Sequence, residues 1–191
     1  MPSDFPGDHG DRKKPPLVLA SASETRIAML TAAGLAFDSQ PARVDEETIR
    51  RALEAESAKP RDIADVLAET KALKISGKRP DALVIGSDQV LELDGQIFAK
   101  PENPDHARDQ LMALRGKTHR LLSAVVVCRA GEPLWRHMGE ARLTMRDFSE
   151  PWLDHYIPRN WEKIRHSVGG YRLEEEGIRL FSSIQGDHFT P

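Results

Sequence analysis

The stretch Leu17-Val18-Leu19-Ala20-Ser21-Ala22-Ser23-Glu24-Thr25-Arg26 sets the fold class of this 191-residue chain. Residues 17–20 are a short apolar run of strand type, and a helical pattern follows with Ile27, Leu30 and Ala33 on one face. Gly34 stops that helix, since glycine takes the left-handed conformation of a helix end without steric cost. Between strand and helix lies a serine-rich turn with Ser23 in the N-cap position. Such a turn leaves backbone N–H groups free and the positive end of the helix dipole exposed, which favours an anion. Hydroxyls at Ser21 and Ser23 add donors. Arg26, one helical turn in from Ser23, brings a planar fork suited to phosphate oxygens. The same residues also fit a plain N-cap serine beside a solvated arginine, and spacing alone leaves both readings open.

Before this unit, residues 1–16 carry four prolines, two glycines and alternating charge. So little apolar surface cannot offset the entropy of ordering, so a disordered tail is expected there, with residues 17–191 forming a single domain. After it, residues 47–57 read as a helix, Lys59-Pro60 breaks the chain, and a second helix is expected over 61–76. Residues 82–86 are continuously apolar, the pattern of a buried central strand. Residues 90–93 and 96–98 flank Asp94-Gly95, a two-residue hairpin signal. Asn103-Pro104 opens a helix with Ala107, Leu111 and Leu114 inward and Gly116 closing it. Residues 119–129 and 134–145 read as long strands, 149–156 as a short helix capped by Ser149, and 168–184 as loop plus strand. Strands alternating with helices predict an α/β protein, a mixed twisted sheet flanked by helices.

Composition removes several classes of function. The 27 basic and 30 acidic side chains are mixed along the chain, for a net charge of −3, so no basic face suggests nucleic acid. No apolar run approaches the roughly 18 to 20 residues that span a bilayer, and no signal-peptide pattern opens the chain. The single cysteine, Cys128, can form no internal disulfide, which fits a cytoplasmic protein. It lies in an apolar run and reads as a buried strand residue. The seven histidines are scattered, without metal-ligand spacing.

Four further features carry chemistry. Val44-Asp45-Glu46-Glu47 places three carboxylates ahead of a helix, where they either compensate its dipole or supply hard oxygen ligands for Mg²⁺ or Mn²⁺. Ile63, Leu67, Lys71 and Ile75 follow at four-residue spacing, so a lysine interrupts an apolar stripe; it either snorkels to water or points to an internal anion. Gly86-Ser87-Asp88-Gln89 is expected at the end of a buried strand, where open α/β sheets bind ligands. Counting back from a two-residue Asp94-Gly95 turn pairs Gln89 with Lys100 and brings Lys100 into the neighbourhood of Asp88. Together these supply what phosphoanhydride hydrolysis needs: a phosphate cradle, cations, acidic metal ligands and a base for water.

The same residues, in order, resemble the Maf family of nucleotide pyrophosphatases. The matching blocks are residues 17–23 with Arg26, Val44-Asp45-Glu46, residues 67–72, residues 84–90, Leu93-Asp94-Gly95 and Lys100-Pro101. Later signposts are residues 114–119, Gly169-Gly170-Tyr171 and Ile184-Gln185-Gly186-Asp187. The resemblance implies a nucleotide-binding cleft in a Maf/ITPase-like fold, and conversion of a nucleoside triphosphate and water into monophosphate and pyrophosphate. It implies Asp88 as general base, Glu46 and Asp88 at a divalent cation (Mg²⁺ or Mn²⁺), Lys71 and Lys100 against the triphosphate, and Ser21, Ser23 and Arg26 lining the phosphate turn. Family members are often dimers, so a homodimer is a further expectation. Gln89 and Glu174 look like the branch acting on 7-methyl-GTP, although Thr25 stands where that branch usually has an aromatic residue. Glu24 replaces the usual proline of the turn, and residues 188–191 end the chain before the family's usual closing segment. The alternatives are a dTTP/UTP pyrophosphatase and a non-hydrolytic nucleotide-binding regulator of cell division.

Overall fold

The computed structural model describes residues 14–186. The expected tail lies outside them except for residues 14–16, and of these Pro16 already accepts a hydrogen bond from the Leu83 amide (2.8 Å). The elements follow in the order β1 Leu17–Leu19, α1 Glu24–Ala32, β2 Asp38–Ser39, α2 Glu46–Ala55, α3 Pro60–Ser76, β3 Leu83–Leu93 and β4 Gln96–Phe98. Then come α4 Pro104–Leu114, β5 Thr118–Arg129, β6 Glu132–Met145, α5 Glu150–Ile164 and β7 Phe181–Gln185, with 3-10 turns at Val168–Gly170 and Glu176–Leu180. The mixed α/β class is as expected. One seven-stranded sheet runs β2-β1-β3-β5-β6-β7, with β4 paired to β3. β1 is parallel to β2 and β3, and all other pairs are antiparallel.

Each face of the sheet has its own core. On one face α3 packs through Ile63, Ala64, Leu67, Ala68, Ala72 and Ile75 onto Val18, Val84, Val90, Ala124, Val126 and Cys128. Cys128 is buried there, and burial pushes its thiol pKa up, as befits an inert core residue. On the other face α4, α5 and the segment up to Phe181 cover Leu91, Leu93, Leu121, Ala141 and Leu143. No helix among the described residues is long and apolar enough to cross a membrane.

Three elements differ from expectation. The strand expected to end at residue 86 continues as β3 through Leu93, because β5 pairs with it from Val84 to Glu92. The polar residues Ser87, Asp88 and Gln89 alternate between the two faces instead of forming a loop. α5 extends to Ile164 past Pro158, because Leu153, Tyr156, Ile157, Asn160 and Ile164 form a buried stripe that offsets the proline's missing hydrogen bond. α1 forms as expected but buries no residue: Ile27 and Leu30 are half-covered and Ala33 is exposed.

α3 can lie so close to β3 only because of Gly86. A Cβ at that position would stand 2.1 Å from the Ala68 carbonyl oxygen and 2.7 Å from the Ala72 Cβ, and the helix backbone cannot yield. Gly86→Ala should therefore lower the free energy of unfolding by more than about 3 kcal/mol or prevent folding. Urea denaturation followed by circular dichroism measures this, and a loss below about 1 kcal/mol would contradict the close approach.

Candidate active site

The site lies along an interrupted edge of β3. β5 takes one edge of the strand, so β1 and β4 share the other; β1 pairs with residues 83–85 and β4 with residues 91–93. Residues 86–90 between them have no strand partner on that side among the described residues, and their backbone groups must be satisfied otherwise. Arg26, from the first turn of α1, does part of this: its Nη1 donates to the Ser87 carbonyl (3.0 Å) and approaches the Ser21 hydroxyl (3.5 Å).

The serine turn is built by its own side chains. Ser23 caps α1, its hydroxyl accepting from the Arg26 amide (3.4 Å), while the Ser21 hydroxyl accepts from the Ser23 amide (3.1 Å). Ser39, which the sequence did not single out, donates to the Ser21 carbonyl (2.7 Å) and fixes the turn to β2. Ser23 is the N-cap serine of α1, but Arg26 is not a solvated arginine. Burial lowers its pKa against the attraction of Asp88 and Glu46.

Lys71 does not snorkel. It is 6% exposed, and its ammonium pairs with Asp88 Oδ1 at 2.6 Å and with Glu46 Oε1 at 3.0 Å. The three carboxylates ahead of α2 divide their tasks. Asp45 caps the helix, accepting from the Thr48 amide (3.1 Å) and hydroxyl (2.8 Å), Glu47 pairs with Arg50 and Arg51, and only Glu46 turns to Lys71. Asp88 is 7% exposed. Burial raises its carboxyl pKa, Lys71 opposes that shift by charge and hydrogen bond, and nearby Glu46 adds to it.

The remaining sequence-predicted residues divide. Thr25 and Glu174 meet: the Thr25 hydroxyl donates to Glu174 Oε1 (2.5 Å), and hydrogen bonds from this threonine and from Arg172 lower the glutamate pKa against partial burial. Gln89 points to the sheet face opposite Asp88, where its Nε2 donates to the Ser123 hydroxyl (3.0 Å). Lys100 is not brought to Gln89. The ladder stops at Leu91 and Phe98, and the Ala99 carbonyl accepts from Gln110 of α4 instead (2.9 Å), which takes the chain away from β3. Lys100 is exposed, with no hydrogen bond or ion pair among the described residues. Two residues the sequence reading missed are Glu92 and Arg172. Glu92 is buried and clamps the Asp94-Gly95 turn, accepting from the Gly95 amide and from Arg120, both at 2.6 Å. Arg172 opens the turn that contains Glu174, the Glu175 amide donating to its carbonyl (3.3 Å), and no sequence periodicity signals that contact.

The profile of the Maf-like protein family matches residues 16–190. The chain belongs to the Maf family. A nucleoside triphosphate pyrophosphatase of Ruegeria pomeroyi is 54% identical over 175 residues, 92% of this chain and 88% of that protein. One of Roseobacter denitrificans is 55% identical over 175 residues, with the same coverage. A 7-methyl-GTP pyrophosphatase of Rhizobium etli is 46% identical over 176 residues, again 92% of this chain and 88% of the relative. The Maf resemblance read from the residue blocks is thereby borne out.

Within this Maf-family fold, the raised pKa of Asp88 has a measurable consequence. The native state binds this proton more tightly than the unfolded chain. The resulting stabilisation is complete below about pH 4 and is lost as pH rises through the folded value. In EDTA, Asp88→Asn should therefore gain stability relative to wild type as pH rises from about 4, then level off. Urea titrations across pH measure the difference, and a flat or opposite trend would contradict it.

Proposed function

We propose that this chain hydrolyses nucleoside triphosphates to the monophosphate and pyrophosphate, with Asp88 as general base. The observation that supports this most is the buried Asp88–Lys71 pair with the half-exposed Glu46 beside it, next to the interrupted β3 edge that Arg26 also reaches. The relatives' names support the same reaction class.

A carboxylate whose pKa is raised by burial is a stronger base than a free aspartate, and so better matched to removing a proton from water near neutral pH. Attack of that water on the α-phosphorus breaks the bond to the bridging oxygen, and pyrophosphate leaves with the electron pair. The Lys71 ammonium and the Arg26 guanidinium oppose the negative charge that develops. Ser21, Ser23 and the free N–H groups of the α1 first turn cradle the phosphates. Lys100, exposed and without a partner among the described residues, is free to close on the phosphate tail. Thr25, Glu174 and Gln89 read the base, and a carboxylate at Glu174 suits the N–H donors of guanine or 7-methylguanine.

Among the described residues no group of three or more acidic, histidine or cysteine side chains forms a preformed metal cage. Two carboxylates, Glu46 and Asp88, nevertheless converge on one cation, the Lys71 ammonium. Such a hard-oxygen pair fits Mg²⁺ or Mn²⁺ held jointly with substrate phosphates and water. When bound there, the ion would supply charge neutralisation of the phosphate oxygens.

Purified wild type, Asp88→Asn and Lys100→Ala should be compared on 7-methyl-GTP, GTP, dTTP and UTP with Mg²⁺ or Mn²⁺. Asp88→Asn should lower kcat at least ~100-fold while remaining folded. Lys100→Ala should raise KM without changing the unfolding midpoint, since the lysine has no side-chain partner to lose among the described residues. No turnover by folded wild type, a diphosphate product, or near-normal activity of Asp88→Asn would each refute the reading.

A further inference from the structure

The geometry points to Arg172 as the positioning residue that holds Glu174 ready to read the base, an inference that rests on the pyrophosphatase reading above. The Arg172 side chain is 17% exposed and its guanidinium makes three contacts that matter. Nε and Nη2 both donate to Glu174 Oε1, each at 3.1 Å, and Nη2 also donates to the Thr25 hydroxyl at 3.0 Å. The Thr25 hydroxyl donates in turn to the same Glu174 oxygen. All these bonds end on Oε1, so Oε2 has no side-chain partner among the described residues and keeps its lone pairs for an incoming N–H.

The base of this latch is rigid. Gly169 lies against β3, where a Cβ would stand 2.4 Å from Leu91 Cδ1, and the backbone there takes φ +75°. Tyr171 is buried and shares a hydrogen bond with the buried His119 (2.8 Å), whose pKa burial pulls down to about 4, so the pair is neutral at physiological pH. Gly177 is pressed against Arg172 itself, its would-be Cβ 2.5 Å from the Arg172 carbonyl oxygen. The backbone of Arg172 is thus fixed on both sides. Its side chain carries that fixity to Glu174 and to Thr25, one residue before the Arg26 that reaches the β3 edge.

Arg172 therefore ties the base-reading carboxylate to the phosphate turn. It also neutralises Glu174, which would otherwise stand uncompensated near the negative triphosphate. The ligand class that a fixed, half-open carboxylate selects is a base with adjacent N–H donors, guanine and its 7-methyl form, over uracil or thymine. Arg172 is largely covered, so the unfolding midpoint of each variant, together with Arg172→Lys, which keeps the charge and most of the side chain, separates loss of the latch from loss of the fold.

The test is kcat and KM of the full chain on GTP, 7-methyl-GTP, UTP and dTTP for wild type, Arg172→Ala, Arg172→Lys and Glu174→Gln. Wild type should favour the guanine nucleotides in kcat/KM. Arg172→Ala should cut that preference about tenfold or more, through a KM that rises more for guanine nucleotides than for UTP. Arg172→Lys should recover part of it, and Glu174→Gln should erase the same preference. An Arg172→Ala enzyme that keeps its base preference, that loses activity equally on every base, or a wild type that favours UTP would overturn the inference. Inactivity of wild type on every nucleotide would sink the pyrophosphatase reading instead. In that case calorimetric binding of GTP and UTP to wild type and Arg172→Ala decides on the latch by the same ratio.

Discussion

The buried pair of Asp88 and Lys71 joins α3 to the middle of the sheet, and the rest of the site is arranged around it. Removing two charges from water costs several kcal/mol per ion, and their attraction returns that only with good geometry and additional partners. At 2.6 Å the geometry is close, and Glu46 adds a second carboxylate at 3.0 Å. An apolar pair of similar volume would pack between helix and strand at no such cost. A fold that keeps a lysine within the apolar stripe of α3 is therefore keeping charge at that point for something other than stability. Gly86 makes this possible, since any side chain there would lift α3 and carry the ammonium away from the carboxylate.

The opening at the site has an equally simple origin. A strand has two edges, β5 occupies one of them over nearly the whole of β3, and two short strands divide the other. β1 ends because the chain must turn into α1. β4 ends because Ala99 finds its partner on α4. The gap between them exposes backbone that asks for donors, and the arginine that answers comes from the same turn that offers N–H groups to an anion. α1 buries none of its residues, so its place is set mainly by polar ties at its first turn: the Ser23 cap, Arg26 to Ser87, and Thr25 to Glu174. A helix held this way has low local stability compared with one packed into the core. The groups that hold it are also those facing the opening.

Much of this was legible in the sequence where local rules and tertiary packing agree. The four-residue stripe places Lys71 on the apolar face of α3 because helix periodicity is fixed; periodicity leaves open whether its ammonium reaches water or an internal anion, and burial of the whole stripe decides for the interior. Asp94-Gly95 gave the hairpin register correctly, with Leu93 opposite Gln96. What could not be read was where pairing stops. Counting along a ladder assumes that both strands continue, and nothing local to Lys100 announces that the Ala99 carbonyl will accept from Gln110, eleven residues further on. Gly86-Ser87-Asp88-Gln89 misled in the opposite sense. Its polar run looks like the end of a strand, yet β5 pairs along it, and the two larger polar side chains find partners: Asp88 on Lys71, Gln89 on Ser123.

The division of the three carboxylates at 45–47 shows the same limit at the level of single residues. Their spacing was visible, their separate fates were not, because those fates depend on the phase at which α2 starts. With Asp45 as the cap, Glu47 faces along the exposed helix toward Arg50 and Arg51, and Glu46 is left facing α3. A start one residue later would rotate the helix by about 100° and turn another carboxylate toward Lys71. The chemistry of the site therefore depends on a capping hydrogen bond of ordinary strength, Asp45 to the Thr48 amide, as much as on the buried charges it brings together.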